Sequence, residues 1–82
     1  MELEILTPTG SVFSGKVKLI KVPGSSGSFE VLKNHAPIIS VLTEGELKVV
    51  TQDEETLRYK ISAGVIEVMS NKIIVLAESI LK

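Results

Sequence analysis

The sequence predicts an all-β domain, either a sandwich or a small barrel, with about eight to ten short strands. Three observations lead to this fold class. Short runs of valine, isoleucine and leucine recur along the whole 82-residue chain. Glycine, proline, asparagine, serine and aspartate separate these runs at intervals that suit strands better than helices. Several runs also alternate polar and apolar side chains, which is the pattern of a strand with one buried face.

The composition predicts one globular domain over residues 1–82. Hydrophobic residues make up 44% of the chain and charged residues 23%, so there is enough apolar material for a core and enough charge for solubility. A chain of 82 residues lies near the lower size limit for a self-sufficient core, and we expect no second domain. Because the chain contains no cysteine, neither a disulfide nor a reactive thiolate is expected.

The first two strands differ in regularity. Residues 2–6 alternate polar and apolar side chains, which predicts a strand with Leu3 and Ile5 facing inward, and a turn containing proline and glycine follows. The second strand, residues 12–23, changes the phase of its alternation near Gly15. A phase change beside a glycine indicates a bulge or bend. We therefore expect this strand to curve strongly or to pass from one sheet to the other.

Two loops flank the third strand, residues 29–32. The preceding loop, residues 24–28, consists of glycine and serine, which predicts a flexible, exposed connector. The following turn, residues 33–37, leads into a fourth strand and contains Asn34, which tolerates a left-handed backbone. The residue before Pro37 is restricted to extended conformations, so this turn is expected to be stiff.

The second half of the chain contains the most regular strand pattern. Residues 56–61 alternate so that Leu57, Tyr59 and Ile61 share one face. Only residues 77–82 allow a helix, and that helix would be shorter than two turns. The remaining strands are predicted over residues 38–42, 47–51, 65–69 and 73–77.

The charge and hydropathy patterns argue against two classes of partner. The formal net charge is −1, from nine basic and ten acidic residues, and the basic residues are scattered along the sequence. Nucleic-acid binding needs a basic stripe, so no nucleic-acid partner is predicted. The longest apolar runs have four or five residues, whereas a membrane-spanning helix needs about 20. The first residues also lack the basic start of a signal peptide. We expect a soluble intracellular protein that meets a membrane only through a complex.

His35, the only histidine, is the one candidate for acid-base catalysis. Such a role requires a nucleophile, a group that orients the imidazole and an oxyanion site, and the sequence singles out none of these. A metal site is also disfavoured, because the carboxylates lie singly or at the tip 53–55 without the spacing of a calcium loop. The glycine-serine loop lacks the lysine of a phosphate-binding loop. No catalytic, metal or cofactor site is predicted.

Two interpretations of the turn around His35 remain open. In the first, His35 hydrogen-bonds the turn together and has a purely structural role. In the second, the stiff turn docks on a partner, because a rigid loop loses little entropy when a partner covers it. The two interpretations are compatible, and the sequence does not separate them.

Four sequence blocks, taken together, resemble one known family. The blocks are residues 13–17 (FSGKV), 27–37 (GSFEVLKNHAP), 45–49 (GELKV) and 62–68 (SAGVIEV). Their order and spacing are similar to those of the epsilon subunit of the F-type rotary ATP synthase, whose mitochondrial equivalent is called delta. The resemblance spans nearly the entire chain, and its specificity lies in the combination of blocks rather than in any one of them.

The resemblance implies an amino-terminal β-sandwich of about ten strands in two sheets. It also implies a non-catalytic rotor subunit of the central stalk, without a cofactor, which links the gamma subunit to the membrane c-ring and couples proton or sodium translocation to ATP synthesis. The implied partners are gamma, the polar loops of the c-ring and, as part of the complex, the catalytic alpha/beta head. The implied location is peripheral, on the cytoplasmic face of the bacterial cell membrane.

The resemblance also assigns contact segments. The family's gamma-facing segment matches His35, Ala36, Pro37, Ile38, Ile39 and Ser40. The end that approaches the c-ring matches Ser25, Ser26, Gly27, Ser28 and Phe29. Two positions depart from the family pattern, since Glu30 stands where the family commonly has glycine and Lys33 where it often has proline.

The family's carboxy-terminal two-helix domain has no counterpart in residues 1–82. We therefore expect neither the inhibition of ATP hydrolysis nor the nucleotide binding that those helices provide in other members. The alternative function, from a different class, is a free-standing β-sandwich module that binds a small ligand or a peptide at its loops. A deep apolar pocket with convergent polar groups would favour that alternative.

Overall fold

The computed structural model describes residues 1–81, in which nine β-strands and no helix occur. Within this range, then, no helix is long and apolar enough to cross a membrane. The strands are β1 (Glu2–Thr7), β2 (Gly10–Val22), β3 (Phe29–Leu32), β4 (Ile38–Leu42), β5 (Gly45–Thr51), β6 (Thr56–Ile61), β7 (Gly64–Met69), β8 (Lys72–Ala77) and β9 (Ile80–Leu81). The eight predicted strands are confirmed, with boundaries that differ by no more than two residues.

The helix allowed for residues 77–82 is wrong over the described part of that segment, because Ala77 ends β8 and Ile80–Leu81 form β9. Lys82 lies outside the described residues. The backbone here is bonded to the turn between β6 and β7. The Glu78 N–H donates to the Ala63 carbonyl at 2.9 Å, and the Ser62 N–H donates to the Ser79 carbonyl at 3.2 Å. These long-range bonds hold the segment extended.

Two sheets share the long strand β2. Sheet I has the order β4-β7-β8-β1-β2 and contains the first half of β2, whereas sheet II has the order β3-β2-β5-β6-β9 and contains the second half. All neighbours are antiparallel except β1 and β8, which are parallel. Because β2 is counted in both sheets, the nine strands supply ten strand segments. This confirms the β-sandwich of about ten strands.

Two bulges in β2 allow it to serve both sheets. Val12 has no partner in β1, because Ser11 pairs with Leu6 and Phe13 with the preceding Ile5. Lys18 likewise has no partner in β5, because its neighbours Val17 and Leu19 pair with the consecutive residues Thr51 and Val50. Each extra residue bends the strand and increases its twist. The predicted bend near Gly15 is therefore confirmed, and it arises from one bulge on either side of the glycine.

The core fills the space between the sheets and consists of apolar side chains alone among the described residues. Leu3 and Ile5 face inward as predicted, and Ile61 is fully buried with Leu57 and Tyr59 packed beside it. The buried residues are Leu3, Ile5, Val17, Ile20, Val22, Val31, Leu42, Leu47, Val49, Ile61, Ile66, Val68, Ile73, Val75 and Ala77. No polar side chain interrupts this packing, so the core can reach the close-packed density that makes protein interiors stiff.

The sandwich has two ends that carry different loops. At one end, which we call the Gly24 end, Val22 pairs with Phe29 and Leu42 pairs with Gly64. At the other, the Asn71 end, β3 finishes and β4 begins, and the two-residue turn between β7 and β8 closes. Strand β3 runs from the first end to the second, so residues 24–28 and residues 33–37 lie at opposite ends.

Candidate functional site

The turn of residues 33–37, here called the His35 bend, carries the chain from the edge of sheet II to the edge of sheet I at the Asn71 end. Asn34 has a φ of 66°, the left-handed backbone that its residue type tolerates. The His35 N–H donates to the Leu32 carbonyl at 3.1 Å, and His35 Nδ1 lies 2.7 Å from the Ala36 carbonyl oxygen. A hydrogen bond between these two atoms requires the proton on Nδ1, because a carbonyl oxygen can only accept. Both bonds stabilise the bend locally.

Asn71 joins the His35 bend to the body of the sandwich. The Asn34 N–H donates to Asn71 Oδ1 at 2.9 Å, and Asn71 Nδ2 lies 3.4 Å from Asn34 Oδ1. The Asn71 carbonyl also accepts from the Glu2 N–H at 3.0 Å. Ser70 and Asn71 have φ values of 50° and 62°, as a two-residue hairpin turn of this kind requires. The sequence predicted this turn but carried no signal of its contact with Asn34, which lies 37 residues away.

Replacing Asn71 separates its turn role from its contact with Asn34. Asn71→Gly keeps the left-handed backbone but removes the amide, whereas Asn71→Asp keeps an acceptor oxygen. One such hydrogen bond contributes about 0.5–1.5 kcal/mol. We expect the Asn34 amide proton to exchange several-fold faster in Asn71→Gly than in the native chain, and Asn71→Asp to resemble the native chain. Hydrogen exchange followed by NMR measures this. A native exchange rate in Asn71→Gly would show that the bend does not depend on the Asn71 side chain.

Strand β4 continues from the bend and turns alternate side chains outward. Ile39 and Val41 face solvent, with 71% and 60% of their surfaces exposed. Ile38 packs against the core, and Ser40 is half-buried. Within the predicted segment 35–40, a partner could therefore contact residues 35–37 of the bend and Ile39. Val41 was missed, although the strand alternation carried a signal for it.

The outer face of sheet I extends this surface across four strands. One row across the sheet consists of Val41, Val65, Leu76 and Leu6, each opposite the next. A second row places Ile39 opposite Glu67, and Glu67 opposite Ile74. A groove of about 300 Å³ runs between these rows. We call this surface the apolar face; its residues are Leu6, Ile39, Val41, Val65, Met69, Ile74 and Leu76.

The apolar face brings seven apolar side chains together around one exposed carboxylate, that of Glu67 between Ile39 and Ile74. Met69 and Leu76 expose 57% and 52% of their surfaces, and Val65 exposes 36%. Scattered single apolar residues are normal on proteins, but a contiguous apolar patch marks an interaction site. The five main grooves among the described residues are open to solvent, and none of these five is an enclosed apolar pocket with converging polar groups. This geometry suits a protein surface better than a small ligand.

The loop of residues 24–28, here called the serine loop, is exposed at the Gly24 end. Its backbone is bonded to β4, since the Ser25 N–H donates to the Val41 carbonyl at 3.0 Å and Gly24 pairs with Leu42. A Cβ at Gly24 would come within 2.9 Å of the Phe29 ring. These contacts tether Gly24 and Ser25 to β4 and Phe29, whereas the flexibility of the rest of the connector stays a prediction. Ser25, Ser26, Gly27 and Ser28 are exposed, while Phe29 packs against the core.

The sequence and the fold were compared with those of known proteins. Residues 1–82 match the family model of the β-sandwich domain of the ATP synthase delta/epsilon chain. The chain belongs to this family.

Three ATP synthase epsilon chains illustrate the relationship. That of Chlorobaculum tepidum is 37% identical over 78 residues, which cover 95% of this chain and 89% of the relative. That of Chlorobium limicola is 35% identical over 79 residues, which cover 96% of this chain and 90% of the relative. That of Protochlamydia amoebophila is 40% identical over 78 residues, which cover 95% of this chain and 53% of the relative. The chain therefore spans nearly the whole length of two of these relatives and about half the length of the third.

Solved structures confirm the delta/epsilon sandwich fold. A chain of the Euglena gracilis mitochondrial ATP synthase, in an OSCP/F1/c-ring assembly, superposes with a TM-score of 0.86 at 19% identity, over 96% of this chain and 51% of that one. A chain of the Tetrahymena thermophila mitochondrial ATP synthase central stalk and c-ring gives a TM-score of 0.81 at 18% identity, over 100% of this chain and 66% of that one. At these identities the likeness establishes the fold.

The two departures from the epsilon family's pattern lie away from the apolar face. Glu30 is exposed on the outer face of sheet II, opposite Lys21. Lys33 is exposed in the His35 bend. Neither side chain is buried, so both substitutions change surface chemistry rather than core packing.

Proposed function

We propose that this chain is a non-catalytic rotor subunit in the central stalk of an F-type ATP synthase, joining the gamma subunit to the c-ring so that ion translocation is coupled to ATP synthesis. Membership of the delta/epsilon family supports the assignment to this complex. The observation that supports a docking role is the apolar face, which a protein partner would remove from water. The catalytic head would be a partner through the assembled complex.

We propose gamma as the occupant of the apolar face and the His35 bend. In this arrangement His35, Ala36, Pro37 and Ile39 contact gamma from the predicted segment, and Val41, Val65 and Leu76 extend the contact onto neighbouring strands. Ile38 and Ser40 act from inside by holding β4 against the core. The bend and the strands are already ordered by backbone bonds, so docking orders little additional chain.

The serine loop is the proposed contact with the polar loops of the c-ring. It lies at the opposite end of the sandwich from the His35 bend and next to Val41, so the proposed c-ring contact adjoins the edge of the proposed gamma contact. Its exposed serines offer hydroxyl and backbone groups to polar loops. The bonds to β4 hold it in place, which suits a contact that transmits force. Phe29 supports this loop from below rather than facing the partner.

The sandwich itself is the proposed coupling element. A closely packed apolar core deforms little under load, and β2 connects the two sheets through continuous backbone. The relatives form part of a membrane-associated complex. For this chain we propose a peripheral location on the cytoplasmic face of the bacterial cell membrane, reached through gamma and the c-ring.

The test is association with the purified gamma subunit of the same organism. We expect a stable complex at micromolar concentrations and moderate salt, measured by calorimetry and gel filtration. His35→Ala removes the ring of the bend, and we expect it to weaken gamma binding about tenfold, or 1.4 kcal/mol, with little change in the unfolding midpoint. A large fall in the midpoint with unchanged affinity would instead make His35 purely structural. The absence of any complex with the native chain would contradict the proposed function.

A further inference from the structure

The outer face of sheet II brings together basic residues that are far apart in the sequence. The strand register places Lys21 opposite Lys48, and Lys48 opposite Arg58. Lys60 follows Arg58 on the same face of β6, two residues along. We call Lys21, Lys48, Arg58 and Lys60 the basic face. The basic residues are scattered along the chain, but the fold gathers these four onto one surface.

This arrangement costs stability in the isolated protein. Like charges directly opposite each other on adjacent strands are destabilising. Arg58 is partly compensated, because its Nη1 lies 2.7 Å from Glu46 Oε1. Among residues 1–81, neither Lys21 nor Lys48 forms an ion pair within 4.0 Å. Lys48 is half-buried between two other cations. Locally unfavourable arrangements of this kind are expected mainly at functional sites.

An apolar row lies beside the basic face. Leu32 pairs with Leu19, and Leu19 pairs with Val50. Leu32 exposes 53% of its surface, and the other two are half-buried. The two rows run across the strands, whose spacing is about 4.8 Å. One turn of an α-helix rises about 5.4 Å. A helix lying along the rows can therefore place successive turns over successive strands.

We propose that the basic face binds an acidic amphipathic helix of a partner protein. Carboxylates one turn apart would meet Lys21, Lys48 and Arg58, and an adjacent apolar stripe would cover the row of Leu32, Leu19 and Val50. This surface lies on the sheet opposite the apolar face, so it is separate from the proposed gamma contact and does not depend on it.

A protein partner fits this surface better than an anionic membrane. Glu30 flanks the row beside Lys21, and Glu46 lies beside Arg58 and opposite Lys60. A uniformly negative lipid surface would attract the lysines but repel these carboxylates. A helix can direct its acidic groups to the lysines alone, which makes discrete complementarity the better match.

The test uses the purified chain and two designed helical peptides of about five turns. One peptide carries glutamate along one stripe and leucine along the next, and the other replaces each glutamate with glutamine. We expect only the glutamate peptide to bind, with an affinity that falls as salt rises. In NMR, the amide shifts should be confined to the strands that carry the basic face.

Lys48→Glu is the decisive variant. It places a carboxylate between Lys21 and Arg58, so we expect at least tenfold weaker binding of the glutamate peptide together with a higher unfolding midpoint. That combination rules out loss of fold as the cause. Lys72→Glu adds the same charge change at an exposed position of β8 in sheet I and should leave peptide binding unchanged.

Three results would overturn the inference. The first is binding of the glutamine peptide as tight as that of the glutamate peptide. The second is a set of amide shifts located on the apolar face. The third is binding of phosphatidylserine vesicles, weakened by Lys48→Glu, without binding of the glutamate peptide. Because gamma is not in these assays, failure here is distinguishable from failure of the proposed rotor function.

Discussion

Leu76→Glu is expected to abolish gamma binding at micromolar concentrations while leaving the sandwich folded. Leu76 sits in the apolar row of sheet I, directly between Val65 and Leu6. In the free chain it is 52% exposed, so a glutamate there can reach water. In a complex over the apolar face, the carboxylate would be buried among apolar side chains without a partner. An uncompensated buried charge costs about 3–5 kcal/mol, which corresponds to a loss of affinity of more than about a hundredfold.

The opposite sheet offers a matched control. Leu32 is 53% exposed on the outer face of sheet II, so Leu32→Glu makes the same chemical change at the same exposure. We expect this variant to bind gamma within about twofold of the native chain, since surface substitutions away from a contact usually change the free energy by no more than about 0.5 kcal/mol. Calorimetry measures the affinities, and thermal unfolding checks that both variants fold. If Leu76→Glu bound gamma normally, or if both variants lost affinity equally, gamma would not occupy the apolar face.

Local patterns were sufficient for most of the fold because each strand carries its own alternation. Leu3 and Ile5 point inward, as their spacing predicts, and the phase change in β2 marks a strand that passes between sheets. The exception is β9. Its sequence permits a helix locally, but pairing of Ile80 with Ile61 overrides that tendency. The side chains add to this pairing, since Ser62 Oγ lies 2.8 Å from Ser79 Oγ. Such contacts between distant residues leave no local signal.

The candidate surfaces were predictable only where they follow one strand. The predicted segment 35–40 includes the bend and Ile39, both of which lie on the surface. Val65 and Leu76 were missed because they join Val41 only through the register of β4, β7 and β8. A shift of one residue in any of these pairings would turn a whole row to the other face. Side-chain rows across a sheet therefore depend on pairings that a single sequence does not reveal.

The serine loop shows a different limit of composition. Glycine and serine favour flexible chain in general, but here Gly24 is needed for close packing. Its contact with the Phe29 ring and its pairing with Leu42 leave no room for a side chain. A residue type that is common in linkers therefore also serves a close contact inside the fold. The distinction lies in what the glycine contacts, which only the fold determines.

Gly64→Ala is expected to cause a large loss of stability in this domain. A Cβ at this position would lie 2.6 Å from the Leu76 carbonyl oxygen and 3.3 Å from Ala77 Cα. Both atoms belong to the backbone of β8, which is paired on both sides, so they cannot move away without disturbing sheet I. Overpacking of this kind costs about 1–3 kcal/mol. For a domain of this size we expect the unfolding midpoint to fall by about 4–8 °C for each kcal/mol.

Gly15→Ala is the control for this prediction. Its nearest contact would be Phe13 Cζ at 3.3 Å, the far end of a side chain that can rotate away, so we expect a change within about 1 kcal/mol. Gly64→Ala should also weaken gamma binding, because any displacement of the Leu76 backbone moves the centre of the apolar face. Thermal unfolding and gamma titration below the lowered midpoint measure the two effects separately. Equal midpoints for the two variants would show that β8 yields to the added methyl group, and normal gamma binding by Gly64→Ala would place the gamma contact away from Leu76.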